Sequence, residues 1–292
     1  MVGATAVRAV GYVAEPSRIW LRLTLLVATA LSAAFALFIQ AQLRAANPDL
    51  AGFDTWAYWV VDPGDPYTLP PTWQRGTFLY SPAIAQAMAP LGLLPWDVVR
   101  DGWAAAQVGL LALLTGPLAG PLALSQPVRV ELVFGNVNLL IAAVALIGLR
   151  WPAMWSIPIM LKVTPGIGLL WFVARREWRA LVVASVTTGL IVLVSVALTP
   201  TLWVDWARAL VASSEIHPEL PLVPPWPVRI ALASAMIWIG ARRDWAWVVP
   251  VAVLLSLGHL WLSSLTIALG AIGWLFWKVM RQGSFAWRET SH

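Results

Sequence analysis

Residues 150 to 179 read RWPAMWSIPIMLKVTPGIGLLWFVARREWR, an apolar stretch with basic residues at both ends and Lys162 near its middle. Between Arg150 and the cluster Arg175, Arg176 and Arg179 there is length for one helical crossing, which takes roughly 20 residues. A single crossing would put the two basic ends on opposite sides of a bilayer, whereas lysines and arginines collect on the cytoplasmic side. Two half-length helices meeting near Lys162 keep both ends inside, and Pro165 supports a break at that point. Such a re-entrant pair is stable only where its tip is buried in protein or lines a wet cavity. The stretch therefore predicts a polytopic helical protein with a polar cavity near Lys162.

The surrounding composition agrees. Of 292 residues, 60% are hydrophobic and 11% charged, against about 25% charged in a soluble domain. Apolar runs are predicted to span at about 19–39, 98–118, 132–149, 180–198, 228–241, 245–257 and 263–277, with a shorter helix from Pro82 to Leu94. Gly116 to Pro127 reads as a connection, and the stretch from Thr199 to Pro225, carrying Asp205, Glu215, His217 and Glu219, as an outer loop. With Arg8 and Arg18 before the first span and Lys278, Arg281 and Arg288 after the last, both termini are expected in the cytoplasm. The first span reads as an uncleaved helix. Residues 1–292 are read as one integral membrane domain, all-α, with the bilayer as partner. The basic residues are scattered between apolar runs, a topological pattern that excludes nucleic acid as partner. There is no cysteine, hence no thiol or disulfide chemistry.

One polar segment stands out between the first two apolar runs: FDTWAYWVVDPGDPYTLPPTWQRGTFLYSP, residues 53 to 82. Asp54, Asp62 and Asp65 accompany Tyr58, Tyr67, Tyr80 and Arg75, and such groups need water or protein around them. On the predicted topology Asp54, Lys162 and His259, far apart in sequence, share the outer side. Lys162 has no sequence-local partner, so it is expected to meet an anion brought from elsewhere. His259 at a span end reads equally as a backbone-bonded residue or a ligand. Asn136 and Asn138, in FGNVN, can cap the helix they begin or donate to a ligand. Asp62 and Asp65 lack a histidine cluster, so no metal or cofactor is expected.

These separated motifs resemble glycosyltransferase family 87, the polyprenol-phosphate-mannose-dependent mannosyltransferases of GT-C architecture. The likeness rests on Asp54 and Tyr58, on Gly64 to Tyr67, and on Phe78 to Pro82. It continues through Gly135 to Asn138, with asparagine at 136 where the family has glutamine, and through Lys162 to Pro165 with the basic residues that follow. The late Trp-x-His element is partial, since Leu257 precedes Gly258 and His259. The resemblance implies a GT-C-like helix bundle with a catalytic first outer loop. It implies an inverting transfer of a sugar, mannose by family, from a polyprenyl-phosphate donor to a glycolipid or glycan acceptor at the outer face of the cell membrane. Asp54 would be the general base, Lys162, His259 and Arg75 would bind the donor phosphate, and Tyr58, Tyr80, Asn136 and Asn138 would contact substrate. A transporter, or a scaffold subunit that has lost its chemistry, are the competing classes.

Overall fold

A computed structural model describes residues 15–70, 74–213 and 223–282, and every regular element in them is helical. Arg8, Arg288, Glu215, His217 and Glu219 lie outside the described residues. In chain order the helices are α1 (Glu15–Ala46), α2 (Phe53–Val60), α3 (Pro82–Met88), α4 (Trp96–Thr115), α5 (Ala119–Ala123), α6 (Gln126–Phe134) and α7 (Asn138–Ile147). There follow α8 (Ser156–Leu161), α9 (Leu170–Arg175), α10 (Trp178–Leu198), α11 (Pro200–Ser213), α12 (Trp226–Arg242), α13 (Val248–Ser256) and α14 (Leu269–Gln282), with 3-10 turns between several of them.

Among the described residues three helical stretches are long and apolar enough to cross a membrane: Ile19–Ala46, Trp96–Ala123 and Trp178–Leu198. In α10 only Ala184 and Ser195 are buried, while Val186, Leu190, Leu193 and Val194 are exposed. A helix that is apolar on every side and barely covered by its own protein is solvated by lipid. The chain is thus a membrane protein.

The structure corrects several expected boundaries. The span expected at 132–149 is two helices, α6 and α7, bent by 104° at Gly135–Val137. The cause is local: Gly135 has φ +77, a left-handed conformation that ends α6. The connection expected from Gly116 is largely helical and carries α4 on through α5. Thr199–Pro225 opens not as loop but as α11, where Pro200 occupies the first turn and Leu202 and Trp206 are buried. The helix expected from Pro82 tightens into a 3-10 turn at Ala89–Leu93 and falls short of a crossing. Around Lys162 the expected break is present. Lys162 is extended at φ −148, ψ 101, between α8 and a 3-10 turn leading to α9. The two halves are tied by packing, because Trp155, fully buried, lies where a side chain on Gly168 would be.

At the centre runs α7, buried from Leu139 and from Ile141 to Ala145. Against it α14 makes a close crossing at Gly270, where an added Cβ would lie 3.2 Å from the Ala142 carbonyl, and at Gly273 it crosses α4 as closely, an added Cβ there lying 2.9 Å from the Leu114 carbonyl. Small residues at a crossing let backbones approach, the packing that holds helices together when lipid competes for apolar contact.

Candidate active site

The bend between α6 and α7 exposes backbone carbonyls that a continuous helix would have paired, and in a membrane protein these must find donors. Five of them are seen to do so. Gln107 Nε2 donates to the carbonyls of Glu131 and Asn136 (3.0 and 2.9 Å), Gln40 Nε2 to Leu132 (3.0 Å) and Trp103 Nε1 to Gly135 (2.8 Å). The Gly52 N–H donates to the Val133 carbonyl at 2.8 Å. Gly52 stands immediately before α2 with φ +69, so the same contact that satisfies the bend also places the first turn of α2 beside it. Gly135 leaves no room to spare there: a Cβ on it would overlap Thr55 Oγ1.

Asp54 occupies that first turn and accepts a hydrogen bond from Asn136 Nδ2 at 2.6 Å. Asn136 in turn accepts from the Val137 N–H through Oδ1 at 2.7 Å, so one side chain both caps the bend and orients the carboxylate. Lys162 donates to Asn138 Oδ1 at 2.8 Å. Asn138 is fully buried and donates through Nδ2 to Glu131 Oε2 (2.9 Å) and, at 3.4 Å, to Ser263 Oγ. FGNVN thus sends Asn136 to the carboxylate and Asn138 to the ammonium.

Asp54, Tyr80, Asn136, Lys162 and His259 all line one cavity of about 590 Å³, within the range of sites that hold small organic ligands. Its remaining wall is mostly apolar, including Phe53, Phe134, Leu161, Trp206 and Leu210. His259 reaches it from the turn after α13. That turn is fixed by Arg229, fully buried, which donates to the carbonyls of Leu257 (2.7 Å), Gly258 (3.0 Å) and Pro224 (3.0 Å). Tyr58 stands behind the wall, fully buried, with its hydroxyl 3.1 Å from that of Tyr80. Arg75 is not brought in. Its guanidinium lies over Trp56, 4.4 Å from the ring centroid, and it does not line the cavity. Asp62 turns its carboxylate to the Gly64 N–H at 2.8 Å, as a turn residue does.

Burial pushes the Asp54 carboxyl up to about 6, against the opposing hydrogen bond from Asn136 and the charge of Lys162. It therefore keeps proton affinity while remaining largely ionised at neutral pH, the condition a general base requires. Burial also raises the Tyr58 and Tyr80 phenols, which stay neutral. Among the described residues no three His, Asp or Glu side chains come together in a way that could hold a metal ion.

Two residues of this site were not singled out in the sequence. Glu131 falls one residue before the expected span start at Leu132, and Arg229 one residue inside the span start at Val228. Both are charged side chains at the margin of an apolar run, which is where a charge buried in protein first shows itself.

The family model of glycosyltransferase family 87 matches residues 78–290, well over half of the chain. The chain belongs to glycosyltransferase family 87. No curated protein and no solved structure matches it. The family 87 match takes in Tyr80, Asn136, Asn138, Lys162 and His259, and begins after Asp54, which the fold brings to the same cavity. A glycosyltransferase of this family works on a sugar donor and an acceptor at the membrane.

Proposed function

We propose that this family 87 glycosyltransferase transfers a sugar, mannose by resemblance, from a polyprenyl-phosphate donor to a lipid-linked or glycan acceptor at the outer face of the cell membrane. The observation that carries the reading is the meeting of Asp54, Lys162 and His259, from three distant segments, on one cavity. Asp54 takes the proton of the acceptor hydroxyl as that oxygen bonds to the anomeric carbon. The bond from the anomeric carbon to the phosphate oxygen breaks, and its electron pair leaves with the phosphate. Because attack and departure occur on opposite faces, the configuration inverts. Lys162 and His259 neutralise the charge that grows on the phosphate, a contribution largest where water is excluded. General-base assistance supplies about 10²- to 10⁴-fold. The apolar wall suits the isoprenoid, and the helix break is the kind of irregular backbone a GT-C-like bundle would place around a polar site. Asn136 and Asn138 serve by orienting Asp54 and Lys162, with Tyr80 backed by Tyr58 along the wall.

The test is direct. Membranes containing the chain are incubated with labelled polyprenyl-phosphate mannose, and products are separated and identified by mass. Transfer of label to a glycolipid or glycan is the expected result. No transfer, together with counterflow of a radiolabelled solute in proteoliposomes, would establish a transporter instead.

A further inference from the structure

A buried carboxylate remains that the transfer chemistry does not use. Glu131, fully buried on α6, accepts from Asn138 Nδ2 through Oε2 at 2.9 Å and from the Leu139 N–H through Oε1 at 3.1 Å. The second contact satisfies one of the donors at the start of α7 that has no partner within the helix. The first decides how Asn138 is turned. A carboxamide offers an oxygen on one side and an NH₂ on the other. With the NH₂ drawn to the carboxylate, the oxygen faces the opposite way, to where Lys162 Nζ donates to it at 2.8 Å. The reversed amide would set NH₂ against ammonium, and oxygen against carboxylate.

We propose that Glu131 is a positioning residue for Lys162: it locks the Asn138 amide with its oxygen toward the cavity, and through that oxygen holds the lysine ammonium where a phosphate arrives. Glu131 itself does not line the cavity, whereas Lys162 does. A lysine is a point charge on a flexible four-carbon stem, so without a fixed acceptor it samples several positions. Three features of the sequence then act together. Gly135 makes the bend, the bend turns α7 so that Asn138 faces back toward Glu131, and the re-entrant break delivers Lys162 to the same amide. The inference rests on the reading of Lys162 as a donor-phosphate ligand.

Glu131→Gln tests it. Glutamine keeps the size of the side chain but replaces one acceptor oxygen with an NH₂, which then faces either the Leu139 N–H or the Asn138 NH₂. Turning Asn138 to relieve the second conflict presents its NH₂ to Lys162. Charge-assisted hydrogen bonds of this kind are worth roughly 10- to 100-fold in an equilibrium constant. Purified full-length protein in nanodiscs should therefore bind a polyprenyl monophosphate probe about 10-fold or more weakly as Glu131→Gln, with Glu131→Asp recovering part of the loss. Lys162→Met should lower affinity too, and the double variant should be no weaker than Lys162→Met alone, because both changes cut one chain of contacts. If Glu131→Gln does not fold, Asn138→Ala cuts the same chain one bond further on and is expected to show the same non-additivity with Lys162→Met. Losses that add in the double variant, or unchanged binding by a folded Glu131→Gln protein, would overturn the proposal while leaving the donor-site reading intact. A wild-type protein that binds no polyprenyl phosphate would bring down both.

Discussion

Gly135→Ala places a single methyl group at the point where the α6–α7 bend meets α2. In the structure that carbon would overlap Thr55 Oγ1 and sit 3.2 Å from Thr55 Cβ and 3.3 Å from Trp103 Cδ1, on a backbone with φ +77. The left-handed conformation costs a non-glycine residue about 1–2 kcal/mol, and inserting a methyl group into packed surroundings costs about 1–3 kcal/mol more. The sum, about 2–5 kcal/mol, is a large fraction of a typical folding free energy. The cheapest escape is for α2 to move off the bend, which stretches the contact between Asp54 and Asn136 as well. The variant should melt well below wild type in detergent and lose turnover even at temperatures where it remains folded. Adding Thr55→Ala, which deletes the hydroxyl, should recover part of the loss but not the backbone share. A Gly135→Ala protein with unchanged melting and turnover would refute the geometry assigned to the bend.

Acidification should silence the enzyme through Asp54. Its carboxyl, lifted to about 6 by burial, must be ionised to accept a proton. The rate should accordingly hold above that pH and fall as pH drops through it, with about a tenth of the sites ionised one unit lower; a rate unchanged down to pH 4.5 would exclude this base. Cysteines introduced singly into this cysteine-free chain test the sidedness: Thr68→Cys should label with an impermeant thiol reagent from outside intact cells and Glu177→Cys should not, and the reverse pattern would place the cavity on the inner face.

The sequence announced some parts of this molecule and concealed others for identifiable reasons. The first, second and fourth apolar runs appear as long helices in α1, α4 and α10 because a lipid-facing helix needs nothing but length and hydropathy. The break at Lys162 was legible because charge placement on both flanks left only one arrangement. The break at Gly135 was not, since Leu132 to Leu149 reads as one apolar run with two asparagines inside it. What permits that bend is supplied from elsewhere: Gln40, Trp103 and Gln107, on α1 and α4, satisfy its carbonyls. No local pattern reports donors from another helix. For the same reason Lys162 looked unpartnered, although Asn138, 24 residues away, accepts from it. Arg75, which the family resemblance implied as a phosphate ligand, lies instead with its guanidinium over the aromatic face of the neighbouring Trp56.

The role of Asp54 as base is the centre of the account, and Asp54→Asn measures it most directly. Asparagine keeps the size of the side chain, and its oxygen still accepts from Asn136 Nδ2 in place of Oδ2. What it loses is basicity. Turnover with a polyprenyl-phosphate sugar donor should fall at least about 10²-fold, a barrier rise of roughly 3 kcal/mol, while melting and donor binding stay close to wild type. Asp62→Asn, on the turn at Gly64, should retain most of the activity. A well-folded Asp54→Asn protein with near-normal turnover would contradict the account.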